Sequence, residues 1–202
     1  MKEIIEAYFN ERSLVNHQVG SYDDCIPSSG EKGDGKNQRM NRMERIVRNI
    51  RVGTDEIIED DEGGMIKLDV LDKEIIVRIK NVSLGKPVIR EANGSIHEST
   101  PVQCRLRKLT YESPLFMDFK IYRDDKPTPD EETRVQIGSL PIMVRSRRCN
   151  LHPENIDNGG AAGKLNIHSS IEDRNRYHRL LEKYGEDPLD PGGYFIINGT
   201  ER

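Results

Sequence analysis

The sequence predicts an α+β fold, a mixed sheet with flanking helices. Three observations predict it. Apolar residues recur at helical spacing near both ends of the chain, and they alternate with polar residues at a spacing of two through the middle. No strand–helix–strand alternation and no internal repeat runs along the 202 residues.

The elements follow in order. Ile4, Ile5, Tyr8 and Phe9 fall on one helical stripe, and Ser13 can cap a second short helix from Leu14. Residues 27–38 are polar and rich in turn formers, which predicts a flexible loop. Met43, Ile46, Val47 and Ile50 repeat as an amphipathic helix that Gly53 is placed to stop. Asp55 to Glu62 holds six carboxylates but lacks the spacing and central glycine of a calcium loop, so it reads as a solvated acidic loop.

Strands come next. Ile66, Leu68 and Val70 alternate, residues 71–74 turn, and Ile75, Val77 and Ile79 alternate again, a hairpin pattern. Residues 86–90 and 95–98 flank Asn93-Gly94, which predicts a two-residue turn. Thr100 and Pro101 open a short helix to Leu109. Residues 115–123 and 134–139 predict a second hairpin around the polar loop 124–132. Ser169-Ser170-Ile171-Glu172 has the spacing of a capping box, Tyr177, Leu180, Leu181 and Tyr184 form the stripe that follows, and Gly185 stops it. Residues 192–199 predict a strand running into a tight turn. The domain boundary is expected after residue 53, with a helical segment at 1–53 and an α+β domain at 54–202.

Composition narrows the functions. Charged residues make up 33% of the chain against an average of about 25%, so the core is thin for the length. Net charge is −4, which argues against a protein that coats nucleic acid without specificity. The distribution is uneven: residues 1–63 carry nine basic and fourteen acidic side chains, whereas 133–153 and 99–111 carry Arg134, Arg145, Arg147, Arg148, Arg105, Arg107 and Lys108 with no acid. These acid-free stretches are the candidates for contact with a polyanion, and a solvated basic face is the plainer alternative. No apolar run reaches membrane-spanning length, the N-terminus has no apolar signal region, and three scattered cysteines suit a reducing cytoplasm.

No catalytic motif emerges. Gly159-Gly160-Ala161-Ala162-Gly163-Lys164 fails as a phosphate loop, because Asn158 stands where a glycine is needed and Leu165 where a hydroxyl is needed. His17, His97, His152, His168 and His178 show no ligand pairing. Cys149 follows two arginines that would lower the pKa of an exposed thiol, although a small buried packing residue is the favoured reading.

Four segments carry a resemblance. They are Leu14-Val15-Asn16-His17-Gln18-Val19-Gly20-Ser21-Tyr22-Asp23-Asp24, the run Thr100 to Leu115 with Arg105-Leu106-Arg107-Lys108-Leu109-Thr110-Tyr111 at its centre, Ile137 to Ser146, and Asp190 to Arg202. In this order and at this spacing they resemble the N-terminal part of the second-largest subunit of multisubunit DNA-directed RNA polymerases. The flavour is archaeal, the B or B double-prime subunit, equivalent to bacterial beta. Gly20, the insert 27–38 and Lys108 depart from the family pattern.

The resemblance implies a fold like the polymerase protrusion domain, incomplete at its C-terminus, which supplies scaffold and one wall of the DNA cleft. It implies partners: the largest subunit, the rest of the second-largest subunit, template DNA, the RNA–DNA hybrid and general transcription factors, with no membrane. It implies no catalytic or metal-binding residue in this piece, with Mg²⁺ held elsewhere in the whole nucleotidyltransferase, and a cytoplasmic location. Arg145, Arg147 and Arg148, then Arg105, Arg107 and Lys108, are the expected phosphate contacts. A free-standing protein-docking module is the rival reading. A missing return segment is expected to leave an unpaired strand edge near 137–144 or 194–197.

Overall fold

The computed structural model describes residues 14–27, 41–52, 64–70, 73–123, 126–127, 133–156 and 170–202. These form two compact units that interleave along the chain. One takes residues 1–23, 86–113 and 140–202, the other 24–85 and 114–139. The architecture is α+β, as the alternation and stripes predict. The boundary expected at residue 53 falls in 53–63, outside the described residues, as do the first helix at 2–9, the acidic run 55–62, the glycine-rich stretch 159–164 and all of the loop expected at 27–38 except the buried Pro27.

The second unit is built on a six-stranded sheet. Strands β1 (Arg51–Val52), β2 (Gly64–Val70), β3 (Lys73–Leu84), β6 (Glu112–Arg123) and β7 (Lys126–Pro127) lie in that order, and β8 (Thr133–Pro141) also pairs with β6. β1 runs parallel to β2, while β2–β3, β3–β6 and β6–β7 are antiparallel. The predicted hairpin holds in register: Ile66 faces Val77 and Leu68 faces Ile75. Its strands reach closer than predicted, however, because Val70 already pairs with Lys73. β3 shifts register between Ile79 and Asn81, a bulge at Lys80. Ile26, Met65, Ile79, Val82 and Leu84 are buried in this unit.

Helix α1 (Asn16–Cys25) lies near the start of the described chain, and α2 (Arg42–Arg48) packs on β2 and β3. α2 is shorter than its apolar period suggests. It stops at Asn49, so Ile50 lies beyond it and leads into β1, and its carbonyl accepts a bond from Met65 N (2.9 Å). Sheet pairing captures the backbone before the helical stripe runs out.

The first unit is held by loops and two further helices. β4 (Val88–Arg90) and β5 (Ile96–Glu98) form a hairpin in which Arg90 faces Ile96. Its connection is not the two-residue turn expected. Glu91 N bonds Ser95 O, Gly94 N bonds Glu91 O, both at 2.9 Å, and Gly94 has φ +83°. The loop is therefore three residues, a turn closed by a left-handed glycine. The Asn93 side chain selects this form by accepting bonds from the backbone and hydroxyl of Ser95.

Helix α3 (Pro101–Arg107) starts as predicted. Thr100 Oγ1 accepts from Gln103 N, Gln103 Oε1 accepts from Thr100 N, and Pro101 takes the first position. Helix α4 (Ile171–Lys183) begins one residue later than the capping-box spacing suggests: Ser170 is the cap and accepts from Asp173 N at 3.2 Å. It ends at Gly185 (φ +76°), where Gly185 N reaches Glu182 O and Glu186 N reaches Leu181 O, the paired bonds of a Schellman stop. Finally β9 (Ile196–Ile197) and β10 (Thr200–Glu201) close around Asn198-Gly199 with φ of +50° and +76°, a type I′ turn.

Tyr111 knots this unit together. Its ring is fully buried, its N–H donates to Ile196 O, and its carbonyl accepts from Ile142 N, both at 2.9 Å. Val144 N then bonds Tyr194 O, and Gly193 N bonds Val144 O. Three segments distant in sequence thus meet in one short ladder around Ile142, Val144, Leu151, Leu181 and Ile196.

Gly192 tests how tight that ladder is. Its φ is +72°, and a Cβ there would meet Arg145 Cβ at 2.6 Å, whereas Gly94 at φ +83° faces open space. Gly94→Ala should cost about 1 kcal/mol, the left-handed penalty alone. Gly192→Ala should cost more than about 2 kcal/mol, since strain and clash add, and urea midpoints of the two variants measure the difference.

Candidate nucleic-acid interface

The three arginines of the 145–148 cluster sit on a spiral of turns. Ser146 N bonds Met143 O, Cys149 N bonds Ser146 O, His152 N bonds Cys149 O and Asn155 N bonds His152 O, at 2.8–3.1 Å. A repeat of three turns every third residue inward. Ser146 and Cys149 are buried, while Arg147 between them is exposed and Arg148 half-exposed. The spiral continues through Asn155 to the buried Ile156, with Glu154 exposed between the turns.

Asp23 anchors the spiral from α1, its carboxylate accepting Arg147 N at 3.0 and 3.2 Å. Tyr22 OH donates to Pro141 O at 2.7 Å, and its ring meets Phe195 edge-on. The Arg147 side chain makes no ion pair among the described residues and is open to solvent. Arg145 behaves differently. It sits in the left-handed region at φ +68°. Its guanidinium donates to Tyr177 OH (2.6 Å) and Asp187 O (3.0 Å) and lies over the Tyr177 ring. It braces α4 against the spiral.

The second basic stretch divides the same way. Arg105 Nη1 bonds Glu186 Oε2 (2.9 Å), Nε bonds Glu201 Oε1 (2.8 Å) and Nη2 bonds Tyr194 OH (2.5 Å). The Tyr194 hydroxyl in turn donates to Asp190. Glu186 is almost wholly buried, and its other oxygen accepts Val102 N at 2.6 Å. Partial burial works against the charge of Arg105, but the Glu186 hydrogen bond, with Tyr194 and Glu201, raises its pKa. Burial, then the bond to Asp190, raises Tyr194. Arg107 forms a two-pronged pair with Glu91, at 2.6 and 2.9 Å, and that bond holds the Glu91 carboxyl below its ordinary value. Lys108 is the exposed left-handed cap of α3, with φ +55°.

Of the six expected contacts, the structure therefore brings Arg145, Arg147 and Arg148 into one turn and Arg105, Arg107 and Lys108 onto the end of one helix. Arg105, Arg107 and Arg145 spend their donors inside the chain. Arg147 and Lys108 present theirs to solvent. Guanidinium and ammonium groups so placed can hold phosphate oxygens. Sequence reasoning missed the partners: Glu186 and Asp190 lie in a polar stretch that reads as loop, with no periodicity to mark either as buried or paired.

The remaining reactive groups are structural. Cys149 is buried, its sulfur accepting from Tyr111 OH and Leu151 N, both at 3.4 Å, and burial pushes its thiol up despite the neighbouring arginines. Tyr111 OH also accepts Asn150 N at 2.9 Å, and burial raises this hydroxyl too. Burial lowers the His152 pKa. Among the described residues no group of three His, Cys, Asp or Glu side chains is placed to hold a metal ion, and no helix is long and apolar enough to cross a membrane.

The family model for the RNA polymerase beta subunit matches residues 13–158. The chain is 32% identical over its full length to DNA-directed RNA polymerase subunit Rpo2N of Methanocaldococcus jannaschii, covering 31% of that protein. It is 30% identical to subunit Rpo2N of Halobacterium salinarum, again over its full length and 31% of the relative. Over 99% of its length it is 30% identical to subunit Rpo2 of Saccharolobus shibatae, covering 13% of that longer chain. The chain thus spans about a third or less of the curated relatives it matches.

Two measurements probe the clamp. Glu186→Gln leaves the Arg105 charge facing a neutral amide and should cost about 3 kcal/mol, as when one partner of a buried pair is removed. Glu201→Gln, at the exposed side of the same guanidinium, should cost under about 1 kcal/mol. Alkaline pH tests the thiols. Burial pushes Cys104 from its ordinary value of about 9 up to about 11, against the opposing charges of Arg107 and Arg105. The folded chain then keeps a proton that the unfolded chain loses, so its contribution is whole below about pH 9 and lost as pH climbs through about 11. Urea midpoints should fall across that window, and Cys104→Ala should flatten part of the fall.

Proposed function

The chain belongs to the RNA polymerase beta subunit family, and on that footing we propose that it is the N-terminal part of the second-largest subunit of an archaeal-type DNA-directed RNA polymerase. Its work there is scaffold and cleft wall during DNA-templated RNA synthesis in the cytoplasm. The observation that carries this reading is the full-length match to subunits named Rpo2N in several archaea, with the family model spanning most of the chain. The partners that follow are the largest subunit, the remainder of the second-largest subunit, general transcription factors and the DNA and RNA–DNA hybrid they enclose.

The chemistry of nucleotide transfer belongs to other parts of the enzyme. Mg²⁺ would there neutralise the triphosphate and the attacking oxygen. Among the described residues no group of three His, Cys, Asp or Glu side chains is placed to hold it. What this chain's own residues do is position. Arg147 and Arg148 on the turn spiral, and Lys108 at the end of α3, hold backbone phosphates. Arg145, Arg105 and Arg107 fix the surfaces that carry them, through Tyr177, Glu186 and Glu91. Phosphate contacts set register without reading bases.

Purification through a tag on this chain should bring polymerase subunits with it, and the chain alone should incorporate no nucleotide on a primed template with Mg²⁺. In the assembled enzyme, Arg147→Ala with Arg148→Ala removes two phosphate contacts. The slope of log affinity against log salt should flatten by up to about 1.8, at about 0.9 per contact, on any DNA sequence. An unchanged slope in a normally assembled enzyme would assign both arginines to structure and leave the family membership standing.

A further inference from the structure

The sheet of the second unit has two unlike faces. Residues paired across an antiparallel ladder share a face, and neighbours along a strand alternate, so the register sorts them. Ile66, Val77 and Ile121 form one row and Ile79 and Phe119 another. Helix α2 packs on this apolar side, because a Cβ on Gly64, the partner of Ile79, would meet Val47 O and Ile50. The reverse side reads differently. There Ile76 lies between Lys67 and Tyr122, and Arg78 lies between Met65 and Lys120.

Two guanidinium groups are held onto this reverse side by aromatic rings. Arg78 lies over Tyr122, 5.0 Å from the ring centroid. Arg134 reaches across from β8 and lies 4.6 Å from the centroid of Phe116, its Nη2 donating to Ser83 Oγ (2.9 Å), and Ser83 is the register partner of Phe116. Cation–π attraction pins each charge to the sheet surface. Arg78, Phe116, Lys120 and Tyr122 are half-exposed, and Arg134 is exposed. Lys120 makes no ion pair among the described residues. Asp118, on the same face, lies 3.8 Å from Arg134, while Asp69 and Glu74 take one register position near the hairpin end. Phe116 and Tyr122 are six residues apart on β6, roughly 20 Å at about 3.3 Å per residue.

We propose that this face binds a single DNA strand, with phosphates on Arg78, Lys120 and Arg134 and bases against the guanidinium and tyrosine planes between them. Cations spread along a strip match a polyanion rather than one phosphate or one acidic side chain. Planar groups set among the cations give unpaired bases something to stack on, which a duplex cannot use because its bases already stack on one another. The proposal rests on the polymerase reading, which supplies the occupant: copying one DNA strand into RNA leaves the other DNA strand unpaired.

The test uses the assembled enzyme, purified through this chain, on DNA with an unpaired bubble. 5-Iododeoxyuridine in the strand that is not copied, when irradiated, joins to an aromatic ring in contact with it. The expected adduct is on the peptide that contains Tyr122. Lys120→Gln should lower its yield about threefold or more and flatten the salt slope of single-strand binding by up to about 0.7, and Lys120→Arg should restore both. Arg45→Gln, on the exposed side of α2 across the sheet, should change neither. No adduct at Tyr122, an equal adduct when the label sits in duplex DNA or in the transcript, or a yield untouched by Lys120→Gln would each overturn the proposal while the polymerase reading stands. A purified chain without polymerase subunits would overturn the function proposed above and this inference with it.

Discussion

A buried carboxylate cannot stay charged unless something answers it, and the first unit is arranged around answering Glu186. One oxygen takes the N–H of Val102 and the other takes Arg105. With Pro101 contributing no N–H, and Gln103 and Cys104 bonded to Thr100, every exposed donor of the first turn of α3 is thereby met. Arg105 then reaches Glu201 and Tyr194, and Tyr194 reaches Asp190. The helix start, the stop of α4 and the last hairpin are tied at one point.

That constraint decides what the basic residues can do. Arg105 and Arg107 are two positions apart on one short helix, and each leaves it toward a different acid, Glu186 or Glu91. Arg145 and Arg147 are likewise two apart, yet one is stacked on Tyr177 and the other is in solvent. The difference is geometric. The turn spiral has a repeat of three, so arginines two positions apart leave it on different faces.

Local physics was legible in the sequence. The hairpin of β2 and β3, the capped start of α3, the glycine stop of α4 and the tight turn at Asn198-Gly199 all rest on residues within a few positions of one another. Failures came where a distant or side-chain partner intervened. Ile50 left the helical stripe to bond Met65, and Asn93 used its side chain to open a three-residue loop. At the candidate interface the residue types were legible and their availability was not. Glu186 lies 81 residues from Arg105, and nothing in its neighbours announces that it is buried. The basic face of the sheet was equally silent, since only strand pairing brings Arg78 beside Lys120 and Arg134 onto Phe116.

The interleaving of the two units bears on the order in which a ribosome delivers them. Residues 24–85 and 114–139 are complete while the last portion of the first unit is still being made. Tyr111 waits longer: its N–H has no partner until Ile196 has left the exit tunnel, and Arg105 waits for Glu186, Tyr194 and Glu201. During synthesis the nascent chain therefore carries a finished sheet beside an aromatic ring and a guanidinium still exposed to water. That interval is when a chaperone has something to hold.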